Sequence, residues 1–289
     1  MIGQCNLQSR IEKLIENRTF PRFSILVGPK GSGKKTFANW IRRCMGQNEL
    51  TISYEAIDVK IDTIREIIQR SYKIVNPTIY IIPDADGMSN AAKNALLKVT
   101  EEPPNNAYFI MTLEDENNTL ETIRSRGTVF YMDRYTPDEI MQYITEKYGS
   151  TAEDNVDIFR SICDTPGDAD ILAKCGVKSF YDYVQLVVDN IAEVSLANAF
   201  KIPSKVALKE DAEGYDLRLF WKAFMKVCTD KADVHSDPED ISRYGEAVLV
   251  TSMYLQKLRT KGINRSMLMD SWVLEIRVLW SMNRGLKNV

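Results

Sequence analysis

Short apolar runs and helix-spaced apolar positions alternate along the first half of the chain. Leu7, Ile11, Leu14 and Ile15 recur at helical spacing between Leu7 and Asn17. The run RFSILVG then reads as a strand closed by glycine, and GPKGSGKKTFANWIRRCM as a loop with a helix beginning near Gly33. IDTIREIIQRSYK is helical in pattern. TIYIIPDADGM is a strand interrupted at Pro83, and NAAKNALLKVTEE is a helix stopped by Pro103-Pro104. AYFIMTLED gives a third strand, and ETIRSRGTVFYM a helical turn leading into a fourth. Strands that alternate with helices predict a parallel sheet covered on both faces.

After Arg134 the strand pattern ends. TPDEIMQYITEKYG opens with Thr136 and, three residues on, Glu139, the spacing of a capping box. VDIFRSICDTPGDADILAKCG predicts two short helices around Pro166-Gly167, and from about Val177 onward only helices are expected. The Met and Trp residues there are expected in a core. The domains predicted are 1–134, an α/β core; 135–176, a small helical domain; and 177–289, a helical bundle.

Composition narrows the chemistry. In 289 residues, 37 Lys and Arg stand against 40 Asp and Glu, which excludes DNA binding by bulk positive charge but not a local basic face. No apolar run reaches the length of a membrane span, and the opening residues lack the apolar stretch of a signal peptide. Five cysteines without a CxxC pair predict reduced thiols in a cytoplasmic setting and no zinc module. The single histidine, His235, falls where VHSDPED enters a helix at Pro238, so it is expected in a solvated loop. Chemistry built on several histidines is excluded.

Gly28, Pro29, Lys30, Gly31, Ser32, Gly33 and Lys34 follow a strand and open a helix, the context of a Walker A loop. Glycines let backbone N–H groups converge on a phosphate, the helix start adds partial positive charge, and Lys34 can reach the outer phosphates. The next position calls for a Ser or Thr hydroxyl to hold Mg²⁺. Lys35 stands there, and Thr36 lies about 100° further round the helix. The loop is thus suited to phosphate, with ATP or ADP as its expected ligand, and ill suited to position Mg²⁺.

These residues resemble the AAA+ clamp-loader subunits of replicative DNA polymerases, and most of all the delta-prime type of the bacterial polymerase III clamp loader. Gly3-Gln4, GPKGSGKKT, IDTIREI, YIIPDADGMSNAAKNALLKVTEEPP, YFIMT and TIRSRG carry the resemblance, over about Gly3 to Gly127. It implies a P-loop AAA+ core, a helical lid and a helical collar that assembles subunits.

In the family the strand before NALLK ends in Asp-Glu, which places Pro83 at the metal-binding Asp and Asp84 at the Glu. One residue of slip would make Asp84 the metal ligand instead and leave Ala85 at the base position. The resemblance also places Asp170 of Gly167-Asp168-Ala169-Asp170 where a phosphate-sensing arginine is usual. Ser125-Arg126 resembles the Ser-Arg-Cys motif, with Gly127 in place of cysteine, and implies that Arg126 serves a neighbouring subunit's ATP.

The reading that follows is a subunit that lends an arginine finger and does not itself hydrolyse ATP. Its implied partners are other clamp-loader subunits, a sliding clamp and primer–template DNA held through phosphates, with no membrane. Two alternatives stand beside it. One is an active clamp-loader ATPase that recruits Asp84 for metal; the other is an unrelated P-loop protein such as a nucleotide kinase, which the helical C-terminal third disfavours.

Overall fold

β1 (Phe23–Val27) is buried along its whole length, with successive residues pointing to opposite faces of a sheet. Phe23, Ile25 and Val27 enter one core, whereas Leu26 enters the other. This is the pattern of a strand in a parallel sheet covered on both sides. The structure is a computed structural model that describes residues 2–46, 52–55, 60–149, 154–201, 205–207, 214–258, 260 and 262–285. The described residues cluster into two compact units, Met1–Glu139 with Thr165–Gly167, and Ile140–Asp164 with Asp168–Val289.

The first unit is built on a five-stranded sheet of order β2-β3-β4-β1-β5, with every pairing parallel. Its strands are β1, β2 (Ile52–Glu55), β3 (Thr78–Ile82), β4 (Ala107–Leu113) and β5 (Thr128–Tyr131). One face is covered by α1 (Cys5–Glu16) and α2 (Lys34–Met45), through Leu7, Ile11, Phe37, Ala38 and Ile41. The other is covered by α3 (Ile61–Ser71) and α4 (Asn90–Glu101), through Ile64, Ile67, Ala92, Leu96 and Val99. The short α5 (Glu121–Arg124) leads into β5. Ser89 caps α4, its hydroxyl accepting from the Ala92 N–H at 3.2 Å. The capping box forms as expected: the Thr136 N–H donates to Glu139 at 2.8 Å, and the Glu139 N–H donates to the Thr136 hydroxyl at 3.2 Å.

The second unit contains α6 from Ile140 on (the helix is Pro137–Tyr148), α7 (Val156–Ile162) and α8 (Pro166–Cys175) from Asp168 on. It continues through α9 (Val177–Asn190), a four-residue helix α10 (Leu196–Ala199), α11 (Leu217–Val234), α12 (Pro238–Lys257) and α13 (Arg265–Gly285). Its core is aromatic. Trp221, Phe224 and Trp272 are fully buried, and the Trp272 indole donates to the Thr251 hydroxyl at 3.0 Å. Trp280 and Met269 join this core, while Met253 and Met267 face outward. His235 follows the end of α11 and is exposed, as expected of a loop residue.

Three corrections apply to the sequence reading. β2 is a fifth strand where none was expected. A two-residue parallel pair, β6 (Val206–Ala207) with β7 (Tyr215–Asp216), interrupts the stretch read as wholly helical. Residues 181–200, within the stretch expected to hold only helices, break after Asn190 and resume helix only at Leu196. No helix among the described residues is long and apolar enough to cross a membrane.

Candidate functional site

The loop after β1 turns on two glycines in the left-handed region, Gly31 at φ 81° and Gly33 at φ 82°, where a side chain would strain the backbone. Gly33 is the N-cap of α2, so Lys34 and Lys35 occupy its first turn. The loop is anchored to the sheet by the Gly28 N–H, which donates to Leu113 O at 3.1 Å. It is closed internally by the Ser32 N–H, which donates to Pro29 O at 3.2 Å.

Lys34 is buried, and its ammonium donates to Gly28 O at 2.8 Å and to Pro29 O at 3.0 Å. Burial lowers its pKa from the ordinary lysine value, and the nearby acids Glu114, Asp84 and Asp86 oppose that shift. Lys30, Lys35 and Thr36 are exposed. The Ser32 hydroxyl is buried without a hydrogen-bond partner among the described residues. A buried polar atom of this kind fits a ligand that brings hydrogen-bonding oxygens. The positive-φ glycines, the helix start and Lys34 are equally suited to phosphate.

Several residues that brace the loop were not picked out as site residues from the sequence. The Tyr135 hydroxyl donates to Ser32 O at 2.8 Å, across 103 positions. Thr165–Gly167, which belong to the same unit, lie against it: the Gly167 N–H donates to Gly31 O at 2.9 Å. A Cβ on Gly167 would come within 2.5 Å of the Gly31 Cα, so this approach requires glycine. Gln4 is buried with φ 64°, and its amide both donates to Asp133 O (2.8 Å) and accepts from the Asp133 N–H (2.7 Å). Gly3-Gln4 was visible as a motif; Tyr135 gave no local signal.

At the end of β3 the chain turns sharply. Asp84 is exposed and left-handed at φ 48°, and its N–H donates to the buried Thr112 hydroxyl at 2.9 Å. Asp86 fixes the same turn, its carboxylate accepting from the Glu114 N–H at 2.8 Å and from the Asn118 side chain at 2.9 Å. Pro83 offers no donor atom, and Lys35 offers an ammonium. The side chains at these two positions therefore do not fit Mg²⁺, and no step is routed through a metal.

Arg126 lies away from this loop, between α5 and β5. Its guanidinium is partly exposed, donates to Thr122 O at 2.9 Å and pairs with Glu101 at 3.0 Å. The Gly127 Cα packs close to β1: a Cβ there would meet Phe23 and Ile25 at 2.9 Å. In the second unit Asp170 is tied internally. It accepts from the Tyr143 hydroxyl at 2.9 Å and the Tyr148 hydroxyl at 3.0 Å, and pairs with Lys147 at 2.8 Å. Its pKa is lowered because these partners outweigh the opposing effect of burial.

A parallel sheet sandwiched by helices, with a glycine-rich loop and buried lysine between β1 and α2, defines an α/β core of the P-loop kind. Sequence comparison takes the identification further. Residues 41–136 match the family described as "DNA polymerase III, delta subunit". The chain is 30% identical over 152 residues to replication factor C subunit 4 of Encephalitozoon cuniculi, covering 50% of this chain and 49% of that one. It is 28% identical over 170 residues to DNA polymerase III subunit gamma/tau of Mycoplasma pneumoniae, covering 50% of this chain and 25% of the relative. A solved structure of a DNA polymerase III gamma subunit-related protein from Thermotoga maritima superposes over 93% of this chain and 98% of its own, with 15% identity and a TM-score of 0.49. The chain spans about half or less of the length of these two curated relatives. Over about half of its length the chain is similar to replication factor C and DNA polymerase III subunits.

Proposed function

We propose that this chain is a subunit of a clamp loader for a replicative DNA polymerase, of the delta-prime kind. In this reading it keeps the nucleotide loop, has given up the metal seat, and supplies Arg126 to the ATP of a neighbouring subunit. The observation that carries the reading is the combination at one site. The phosphate-binding features from Gly28 to Lys34 are intact, while Lys35 and Pro83 stand at both metal-holding positions.

Phosphoryl transfer depends on positioning and on charge neutralisation by metal, so a loop without its metal seat holds phosphate and turns it over poorly. ATP or ADP is the ligand this loop would take, with Lys34 exchanging its two carbonyl partners for phosphate oxygens. Arg126 has the chemistry of a finger: a permanently charged, bidentate donor on the surface. The domain roles follow the same reading, with residues 135–176 as lid and 177–289 as the collar that assembles subunits. The partners are then other clamp-loader subunits, a sliding clamp and primer–template DNA.

A second reading, an active ATPase motor, is favoured by one observation: the acids Asp84, Asp86 and Glu114 all act on Lys34. Co-purification with candidate partner subunits, followed by ATPase assay of the complex with and without clamp and DNA, separates the two. The first reading expects turnover to depend on a different, intact ATPase subunit.

A further inference from the structure

Three successive carbonyls of the phosphate loop accept from groups outside it. The Thr165 hydroxyl donates to Lys30 O at 3.4 Å, the Gly167 N–H to Gly31 O at 2.9 Å, and the Tyr135 hydroxyl to Ser32 O at 2.8 Å. All of these residues belong to the first unit. A trans peptide is planar, so the C=O of one residue and the N–H of the next point in opposite directions. Each tie therefore sets the direction of the N–H on the far side of its peptide. The Ser32 N–H, across from Gly31 O, closes the loop on Pro29 O at 3.2 Å. The Gly33 N–H, across from Ser32 O, points away from Tyr135.

Direction matters most at Gly33. It is left-handed at φ 82° and ψ 22°, and Lys34 after it begins α2. A left-handed residue followed by a right-handed one turns consecutive N–H groups to one side, a concavity that suits an anion. The groups turned here are the N–H of Gly33, Lys34 and Lys35, and the first of them belongs to the peptide that Tyr135 holds. Glycine lets that peptide rotate more freely than any other residue would, so a tie at Ser32 O restricts the loop where it is softest. Tyr135 is itself fixed from both sides. The backbone of Asp133 is paired with the buried Gln4 amide, and Thr136 opens the capping box with Glu139. The Tyr135 ring lies against Gly3, where a Cβ would come within 2.8 Å of it. A phenylalanine ring would fill the same space, but it carries no hydroxyl to donate to Ser32 O.

We propose that Tyr135 is a positioning residue of the phosphate loop, whose hydroxyl presets the Ser32–Gly33 peptide so that the Gly33 N–H faces the phosphates of a bound nucleotide. This role rests on the nucleotide-binding reading above. It adds to that reading a side chain more than a hundred positions away that acts through the loop backbone. The benefit is preorganisation: the N–H is in place before the ligand arrives, so less freedom is lost on binding. The role involves neither Arg126 nor a metal.

The test uses the full chain in metal-free buffer and two fluorescent probes, N-methylanthraniloyl-ADP and N-methylanthraniloyl-adenosine. They share base, sugar and fluorophore and differ only in the phosphates. Tyr135→Phe keeps the ring against Gly3 and removes the hydroxyl. It is expected to weaken the ADP probe about five- to tenfold, the worth of one hydrogen bond, and to leave the adenosine probe within about twofold of wild type. Tyr181→Phe, which removes a hydroxyl bonded to Asp230 in the second unit, is expected to bind both probes like wild type. Circular dichroism confirms that each variant is folded. Three results overturn the proposal: wild-type affinity of Tyr135→Phe for the ADP probe, equal weakening of both probes, which marks a merely structural role, or equal weakening by Tyr181→Phe. Wild type that binds the ADP probe no better than the adenosine probe overturns the nucleotide-binding reading itself, and the role of Tyr135 with it.

Discussion

Arg126 and Glu101 meet at 3.0 Å on the surface of the first unit, with 38% and 52% of their side chains exposed. An ion pair this open contributes about 0–1 kcal/mol, so the guanidinium is held cheaply and can leave. Arg126→Ala is expected to lower the unfolding free energy by less than about 1 kcal/mol. If the side chain serves a neighbour's ATP, the same variant slows turnover of the assembled complex by about 10³-fold or more. Denaturant midpoints and complex ATPase rates read the two effects separately. Unchanged complex turnover contradicts the finger.

Asp168 is the contrasting case, an acid with its side chain almost fully buried. It accepts from Arg218 through both oxygens and from the Asp164 N–H at 3.0 Å, with Lys222 at 3.6 Å. Burial alone would raise its pKa, but Arg218 and Lys222 hold it below the ordinary carboxylate value. A depressed folded-state pKa contributes stability that is present above about pH 3.9 and is lost as pH falls below it. Arg218→Met strands the charge and is expected to cost about 3–5 kcal/mol at neutral pH. Without Arg218, burial raises the carboxyl's pKa in the variant, so it takes up a proton on acidification toward pH 4 while the wild-type pair stays charged, and the gap between variant and wild type should narrow. Urea unfolding at the two pH values checks this; a gap independent of pH contradicts it.

Gly31 and Gly167 touch through their backbones, and neither tolerates a Cβ without displacement. Gly167→Ala is expected to destabilise the chain by about 1–3 kcal/mol, as overpacking does. Gly31→Ala adds the strain of a positive φ and should cost more. Thermal unfolding of the two variants tests the order.

Local features were legible in the sequence because their causes are local. The phosphate loop announces itself through glycine spacing between a strand and a helix. The capping box of Thr136 and Glu139 and the cap of α12 by Asp237 before Pro238 are likewise written within four residues. β2 escaped because Ile52–Glu55 is four residues long and half polar, without the continuous apolar run of β1 or β3. β6 and β7 escaped because two-residue strands leave no periodicity to read. The braces of the loop were hidden for another reason. Tyr135 reaches Ser32, and Gln4 reaches Asp133, across more than a hundred residues, so only the folded chain brings them together. Asp86 was overlooked beside Asp84 although it is the better tethered of the two, since its partners come from the loop after β4.

In the proposed function the phosphate loop binds nucleotide without a working metal seat. Steady-state ATP hydrolysis by the purified chain, with magnesium and with EDTA, beside Lys34→Ala, tests it most directly. The expected result is turnover at background in all three, with nucleotide binding by wild type that does not need magnesium and is lost in Lys34→Ala. Magnesium-dependent turnover that Lys34→Ala abolishes would contradict the account.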